Sequence, residues 1–400
     1  MKESFVFVTG MFRSGTTLVA RMLHSHPQII FASDPYAPLF KAFRNTIANQ
    51  VEHRKVFDPS SPLDDYYFYS EKYEMMKAIQ ESSLECSVSE LTLLELRKKI
   101  ASATRSYSPK IEPLLSTLKG STFVDLLDKG IEIIKAAYNK KGAQLIGFKE
   151  VWTDEFAGHL LKHFKGAKVI HVVRDPRGVC ASNNVTNEKY PWLFLTRQWR
   201  KLITFAWINK HYHPDNSRVF FLKYEDLIKN PLVTVKKICD FLSINFHENL
   251  INPDSFMNGN GAPWKQNSSH FMGGQQFNIN SIDKWKQVLS KEQIDLIERV
   301  CGPEMAVCGY DLCNLIQNEF PLSAVFNPIA IKENEMADWI KKFTQESEHH
   351  LIGEMGLEMI RHSALINRNK SSISIEDKQR FCLNPLFFDL VQREFRNVIE

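Results

Sequence analysis

The chain has 400 residues, 44% of them apolar and 24% charged, with 28 Phe. That is an ordinary globular mixture, enough for one large domain with an appendage or for two domains, and it excludes a disordered or fibrous chain. Fifty basic against 46 acidic residues leave a net charge of +4, too balanced for nucleic acid or an anionic membrane to be the main partner.

Residues 4–9, with the run Phe5-Val6-Phe7-Val8, read as a buried strand. Residues 10–17 form a turn, and residues 16–24 take helical spacing through Leu18, Val19, Met22 and Leu23 until Pro27 stops the helix. Residues 28–32 predict a second short strand. From about residue 38 to 140 helices and loops dominate, punctuated by Pro59, Pro62, Pro109 and Pro113. Strands return at residues 145–148, 168–173 and 218–222, with helical patterns between them. Short apolar strands alternating with helices indicate an α/β fold, a parallel sheet covered by helices on both faces.

Residues 231–242 form an amphipathic helix through Leu232, Val235, Ile238 and Phe241, and the Gly-, Asn- and Ser-rich stretch 253–277 reads as a loop. Beyond Tyr310 the strand pattern ends; residues 331–366 and 376–400 predict helices only. The expected division is a domain over residues 1–315, carrying a helical insertion at about 38–140, and a C-terminal helical extension over 316–400.

The seven cysteines are scattered and form no CxxC pair, as expected of reduced thiols in a cytoplasmic protein. No His or Cys pairs stand at zinc spacing, so no metal is expected. No leader-like segment opens the chain and no run approaches the length of a membrane span. The expectation is a cytoplasmic protein with no membrane span.

The strongest local signal is Gly10-Met11-Phe12-Arg13-Ser14-Gly15-Thr16-Thr17 between a strand and a helix. A Gly-containing turn entering a helix N-terminus offers backbone N–H groups and a positive dipole end to a phosphate, and Thr16 and Thr17 add hydroxyl donors. An ATP- or GTP-binding loop requires G-x-x-x-x-G-K-[ST]. Here Thr16 holds the lysine position and the cation is Arg13, which argues against a nucleotide kinase or ATPase. The plain structural alternative is a β-to-α turn capped by Ser and Thr.

A second signal is the strand ending in Arg174, followed by Asp175-Pro176-Arg177 and, eight residues after Arg174, Ser182 on the first turns of a helix. Open α/β sheets bind ligands at the carboxyl ends of their strands. A guanidinium fork with a hydroxyl there suits a phosphate monoester. The alternative is a structural Arg–Asp turn with a merely helical serine.

These residues carry a resemblance. The run from Val8 to Leu18, with Met22 to Pro27 after it, resembles the 5′-phosphosulfate loop of sulfotransferases that use 3′-phosphoadenosine-5′-phosphosulfate (PAPS). The branch with Arg-Ser-Gly-Thr-Thr, which includes tyrosylprotein and many bacterial sulfotransferases, is the most similar. Arg174 and Ser182 resemble the family's 3′-phosphate site. Lys223-Tyr224-Glu225-Asp226-Leu227, Asn267-Ser268-Ser269 and Ser281-Ile282-Asp283-Lys284-Trp285 resemble later cofactor-contacting segments. The resemblance runs from about residue 4 to 310.

It implies a P-loop-like fold and a cosubstrate site of Arg13, Ser14, Gly15, Thr16, Thr17, Arg174, Ser182, Tyr224, Ser269 and Lys284. Arg13, Lys149 and Asp34 are the implied catalytic residues. Lys149 aligns with a lysine bridging the leaving oxygen, although Val151 stands where the family often has proline. Asp34 occupies the position of a general-base glutamate; Glu150, His24 and His26 are alternatives.

The implied reaction moves a sulfuryl group from PAPS to a hydroxyl or amine of a soluble small molecule, without a metal. The competing readings are a carbohydrate or glycolipid sulfotransferase, a P-loop kinase or ATPase, and an inactive PAP-binding scaffold. The C-terminal helices are assigned to the acceptor pocket, to a homodimer or to a partner contact, with no choice among these.

Overall fold

The computed structural model describes residues 5–51, 71–182, 192–264, 277–313, 348–366 and 373–399. Five strands form one parallel sheet: β1 (Phe5–Gly10), β2 (Ile29–Ser33), β3 (Leu145–Lys149), β4 (Lys168–Val173) and β5 (Val219–Lys223), in the order β2-β3-β1-β4-β5. Every residue of β1 and β2 is buried, as a parallel sheet covered on both faces requires. Helix α1 (Thr16–Ser25) follows β1 and α2 (Ala37–Ala48) follows β2. Strand order reverses at β1, between β3 on one side and β4 on the other, so the carboxyl ends of these three strands border the crevice such folds use for ligands.

Leu18, Val19, Met22 and Leu23 on one face of α1 enter a core with Val6, Val8, Ile170, Val172 and Leu222 from the sheet. The helix Pro231–Leu242 has its expected boundaries. The second and fifth strands each start one residue later than their spacing predicts, the fifth because a 3₁₀ turn, Asn216–Arg218, precedes it. The predicted 253–277 loop contains, in its described part, a 3₁₀ turn (Pro253–Ser255) and an antiparallel bridge between Met257 and Pro263.

The chain divides into two compact units. The first is Met1–Arg54, Ala78–Arg174 and Asn209–Ile282; the second is Lys55–Lys77, Asp175–Ile208 and Asp283–Glu400. The first holds the whole sheet. The second holds no strand among its described residues, and in it Lys291–Val307 packs against Glu348–Ile366 and Pro385–Ile399. Where residues 376–400 predict one helix, there are two, Ile375–Cys382 and Pro385–Ile399. Leu383 turns left-handed (φ 58°), Pro385 cannot continue the hydrogen-bond ladder, and the Asn384 side chain accepts from the backbone N–H groups of Leu386 and Phe387 to start the next helix.

The second unit buries charge among its helices. Arg200 donates to both oxygens of Glu358, at 2.5 and 3.1 Å, and Arg197 reaches the same carboxylate at 3.3 Å. Arg361 pairs with Glu304, and Arg177 bridges Asp175 and Glu298, each at 2.7 Å.

Candidate active site

The loop after β1 is held by two glycines. Gly10 has φ 148°, and a Cβ on it would lie 2.3 Å from the Val172 carbonyl oxygen of β4. Gly15 has φ 91°, and a Cβ there would lie 2.5 Å from the Tyr224 ring. Between them Arg13 is left-handed at φ 68°, a conformation that costs a non-glycine residue roughly 1 kcal/mol. Ser14 N–H donates to the Met11 carbonyl at 3.1 Å, closing the turn.

Helix α1 starts at Thr16 with no side-chain cap and no acidic residue in its first turn. Its leading N–H groups and positive dipole end therefore face the loop uncompensated by the chain. Ser14 is completely buried, and its hydroxyl has no hydrogen-bond partner among the described residues. A buried orphan hydroxyl beside an uncapped helix start fits an anion.

Lys149 ends β3 and pairs in register with Ser33 of β2. Asp34, at φ 50°, follows directly, and its N–H donates to the Lys149 carbonyl at 2.8 Å. The Lys149 ammonium lies 2.5 Å from Asp34 Oδ2 and 3.2 Å from Thr17 Oγ1. Lys149 is 2% exposed and Asp34 19%, so the carboxylate meets solvent while the ammonium is enclosed.

Glu150 is buried, and its carboxyl is pushed well above the usual range, first by burial and then by the charge of Asp34. Its Oε1 accepts from Tyr36 N–H at the start of α2, and Oε2 has no partner among the described residues. His24 is held neutral, pushed down to about 3 chiefly by burial, and its Nδ1 accepts from Phe31 N–H. His26 is also lowered by burial; its Nδ1 accepts from Gln28 N–H and its Nε2 contacts the Asn245 carbonyl.

Arg174 stands one residue beyond β4 and is 6% exposed. Its Nη1 donates to the Arg13 carbonyl at 2.9 Å and its Nη2 to the Ser281 carbonyl at 2.7 Å. Its guanidinium lies 4.4 Å from the centroid of the Tyr224 ring. The Tyr224 hydroxyl is 2.8 Å from Ser281 Oγ. Tyr224 is thus a buried strut with Gly15 against its ring edge and Arg174 over its face.

Arg13, Ser14, Gly15, Thr16, Thr17, Asp34, Lys149, Arg174 and Tyr224 all lie in the first unit. Ser182 and Lys284 lie in the second. Ser182 is buried but sits past the end of its helix, not on the first turns, because Pro176–Cys180 spans only five residues. Lys284 is the N-cap residue of the helix Trp285–Val288. Ser269 falls outside the described residues.

Ser281 opens the Ser281–Trp285 run that the resemblance marks, but its own contacts were not singled out. A serine two residues before an Asp-Lys-Trp run carries no signal of its own, and its bonds to Arg174 and Tyr224 span 107 and 57 positions. Among the described residues no group of three or more His, Cys, Asp or Glu could hold a metal ion, and no helix is long and apolar enough to cross a membrane.

Comparison with known proteins places these features in company. A family model described as "Sulfotransferase family" matches residues 5–248. Carbohydrate sulfotransferase 1 of Danio rerio is 25% identical over 173 residues, which cover 37% of this chain and 39% of that protein. The match therefore spans about two-fifths of that relative's length. Among solved structures, the sulfotransferase domain of the Synechococcus PCC 7002 olefin synthase is 20% identical, covering 78% of this chain and 96% of that one, with a TM-score of 0.44. The sulfotransferase domain from the curacin biosynthetic pathway is 18% identical, covering 77% and 98%, also with a TM-score of 0.44.

Proposed function

The chain belongs to the sulfotransferase family, and from that premise we propose that it transfers the sulfuryl group of PAPS to a hydroxyl or amine of a small soluble acceptor, releasing PAP. The observation that carries this reading is the 2.9 Å bond from the Arg174 guanidinium to the Arg13 carbonyl. This bond supports the reading because Arg13 and Arg174 meet beyond the carboxyl ends of β1 and β4, where open α/β sheets bind ligands.

When bound, PAPS supplies the sulfuryl group and a phosphate leaving group. The chain's residues divide the remaining work. Arg13, the N–H groups at the start of α1 and the hydroxyls of Ser14, Thr16 and Thr17 hold the 5′-phosphate and neutralise charge growing on it. Arg174 and Ser182 hold the 3′-phosphate, with Tyr224, Ser269 and Lys284 as further contacts. Lys149, kept from water, offers its ammonium to the leaving oxygen. Asp34 Oδ2 takes the acceptor's proton. The 2.5 Å ion pair supports this division, because it holds the proposed base and the proposed cation side by side next to Thr17. Protein cations supply the charge, so the reading includes no metal.

The chain is proposed to work in the cytoplasm, with neither nucleic acid nor a membrane span as partner. The segment beyond about residue 315 is proposed as an extension that supplies helices to the second unit, where it is available for a homodimer or partner contact. Truncation at about residue 318 should then leave the PAP affinity of folded protein intact while altering oligomer size or stability. Loss of PAP binding by folded truncated protein counts against this division.

A carbohydrate acceptor is the second reading, favoured by the carbohydrate sulfotransferase relative. Titration calorimetry with PAP tests the site: Arg13→Ala and Arg174→Ala should each weaken binding roughly a hundredfold, the scale of a lost buried charge contact. Unchanged affinity in either variant refutes the cradle. PAPS turnover against alcohols, phenols, amines and sugars, read as a mass gain of one SO₃, separates the acceptor classes.

A further inference from the structure

Beneath the site lies a chain of buried polar contacts that the reaction above does not use. Thr9 of β1 and His171 of β4 occupy the same rung of the sheet and are both fully buried. Asp154, 1% exposed, sits in the 3₁₀ turn Asp154–Phe156 after β3. Thr9 Oγ1 donates to Asp154 Oδ2 at 3.0 Å, and Asp154 Oδ1 pairs with His171 Nδ1. Thr153 Oγ1 lies 3.0 Å from Thr9 Oγ1 and donates to the Glu150 carbonyl at 3.3 Å. At the far end Asn209 Nδ2 is 3.5 Å from His171 Nε2. A carboxylate oxygen opposite Nδ1 can only accept, so this ring nitrogen is the donor of the pair.

Each member stands at the root of a loop that carries a candidate site residue. Thr9 directly precedes the Gly10–Gly15 loop, Asp154 follows Lys149 by five residues, and His171 precedes Arg174 by three. A buried carboxylate with donors on two neighbouring strands fixes their spacing firmly, because losing one donor leaves a desolvated charge partly unmet. We infer that Thr9, Asp154 and His171 are positioning residues that hold the loops of Arg13, Lys149 and Arg174 in register for the nucleotide.

This inference rests on the PAP-binding reading, and its test separates the two. Titration calorimetry of the full chain with PAP compares wild type with four variants. Thr9→Val keeps the branched shape but removes the donor, and Thr9→Ser restores the donor. His171→Asn puts an amide where Nδ1–H stood, and His171→Gln puts it where Nε2 stood. Thr9→Val and His171→Gln should raise the PAP dissociation constant roughly tenfold with stoichiometry still near one, since small misplacement of binding groups costs this much or more. Thr9→Ser and His171→Asn should stay within about threefold of wild type, their hydrogen bonds being kept.

A network serving the core alone behaves differently. It lowers the binding-competent fraction, and so the stoichiometry, while the dissociation constant of the folded protein holds; that result overturns the inference. Should Thr9→Val not fold, His171→Gln carries the test against His171→Asn. Wild type that fails to bind PAP sinks the site reading and this inference with it. Wild type that binds, alongside Thr9→Val and His171→Gln variants of equal affinity, sinks the inference alone.

Discussion

Lys149 with Asp34 in the first unit, and Arg200 with Glu358 in the second, each meet at 2.5 Å. Their surroundings differ. Glu358 is 4% exposed, Arg200 wholly buried, and a second guanidinium, Arg197, lies on the same carboxylate. Asp34 is 19% exposed, sits at a strand end in a left-handed turn, and shares its ammonium with the Thr17 hydroxyl and the Tyr107 ring face. A sealed ion pair has no route to an outside ligand, and breaking it exposes the fold to an uncompensated charge. A pair at a crevice mouth has a carboxylate that an incoming hydroxyl can reach.

The comparison fails if the two carboxylates respond alike to loss of charge. Asp34→Asn should lower PAPS turnover, with an acceptor taken from the panel, by roughly a hundredfold or more, the usual worth of a general base, while PAP affinity by calorimetry stays within about threefold. Full turnover in Asp34→Asn moves the base elsewhere. Glu358→Gln should cost about 3 kcal/mol of stability, the scale of breaking a buried pair, measured by urea unfolding, and should leave the PAP affinity of the folded protein unchanged. An unaltered unfolding midpoint would remove the contrast between the units.

The smallest effect concerns Glu150, which sharpens the first half of the comparison. Its folded carboxyl is raised above the unfolded value of about 4.3. The folded state thus keeps a proton that the unfolded chain releases. The stability this confers is complete below about pH 4.3 and drains away as pH climbs through the raised value. Glu150→Gln mimics the neutral acid and should flatten the fall of melting temperature between acid and mildly alkaline pH. An unchanged slope would mean that the carboxyl is already ionised beside Asp34.

Much of the first unit was legible because its signals are local. Continuous apolar runs marked all five strands to within a residue or so, and Gly10, Gly15 and Arg13 marked the turn between β1 and α1. The strand order was not legible, since it rests on pairings such as Val8 with Lys149 across more than a hundred residues. The Thr9–Asp154–His171 chain was hidden for the same reason: nothing near a lone buried histidine shows its partner 17 positions away. In the second unit the C-terminal helices were legible in their described part apart from the break at Leu383, residues 331–347 of the expected 331–366 helix lie outside the described residues, and the ion pairs were not legible. Arg200 and Glu358 read on the page as ordinary charged helix residues, and only packing across 158 positions brings them together.

Gly10 and Gly15 also bear on how this loop could be re-engineered. At residue 10 the obstruction is main chain, the Val172 carbonyl; at residue 15 it is the rigid ring of Tyr224. Neither can swing aside as a flexible side chain would. A randomised library should therefore lock both codons as glycine and diversify Phe12, a half-buried ring 5.3 Å from that of Trp152.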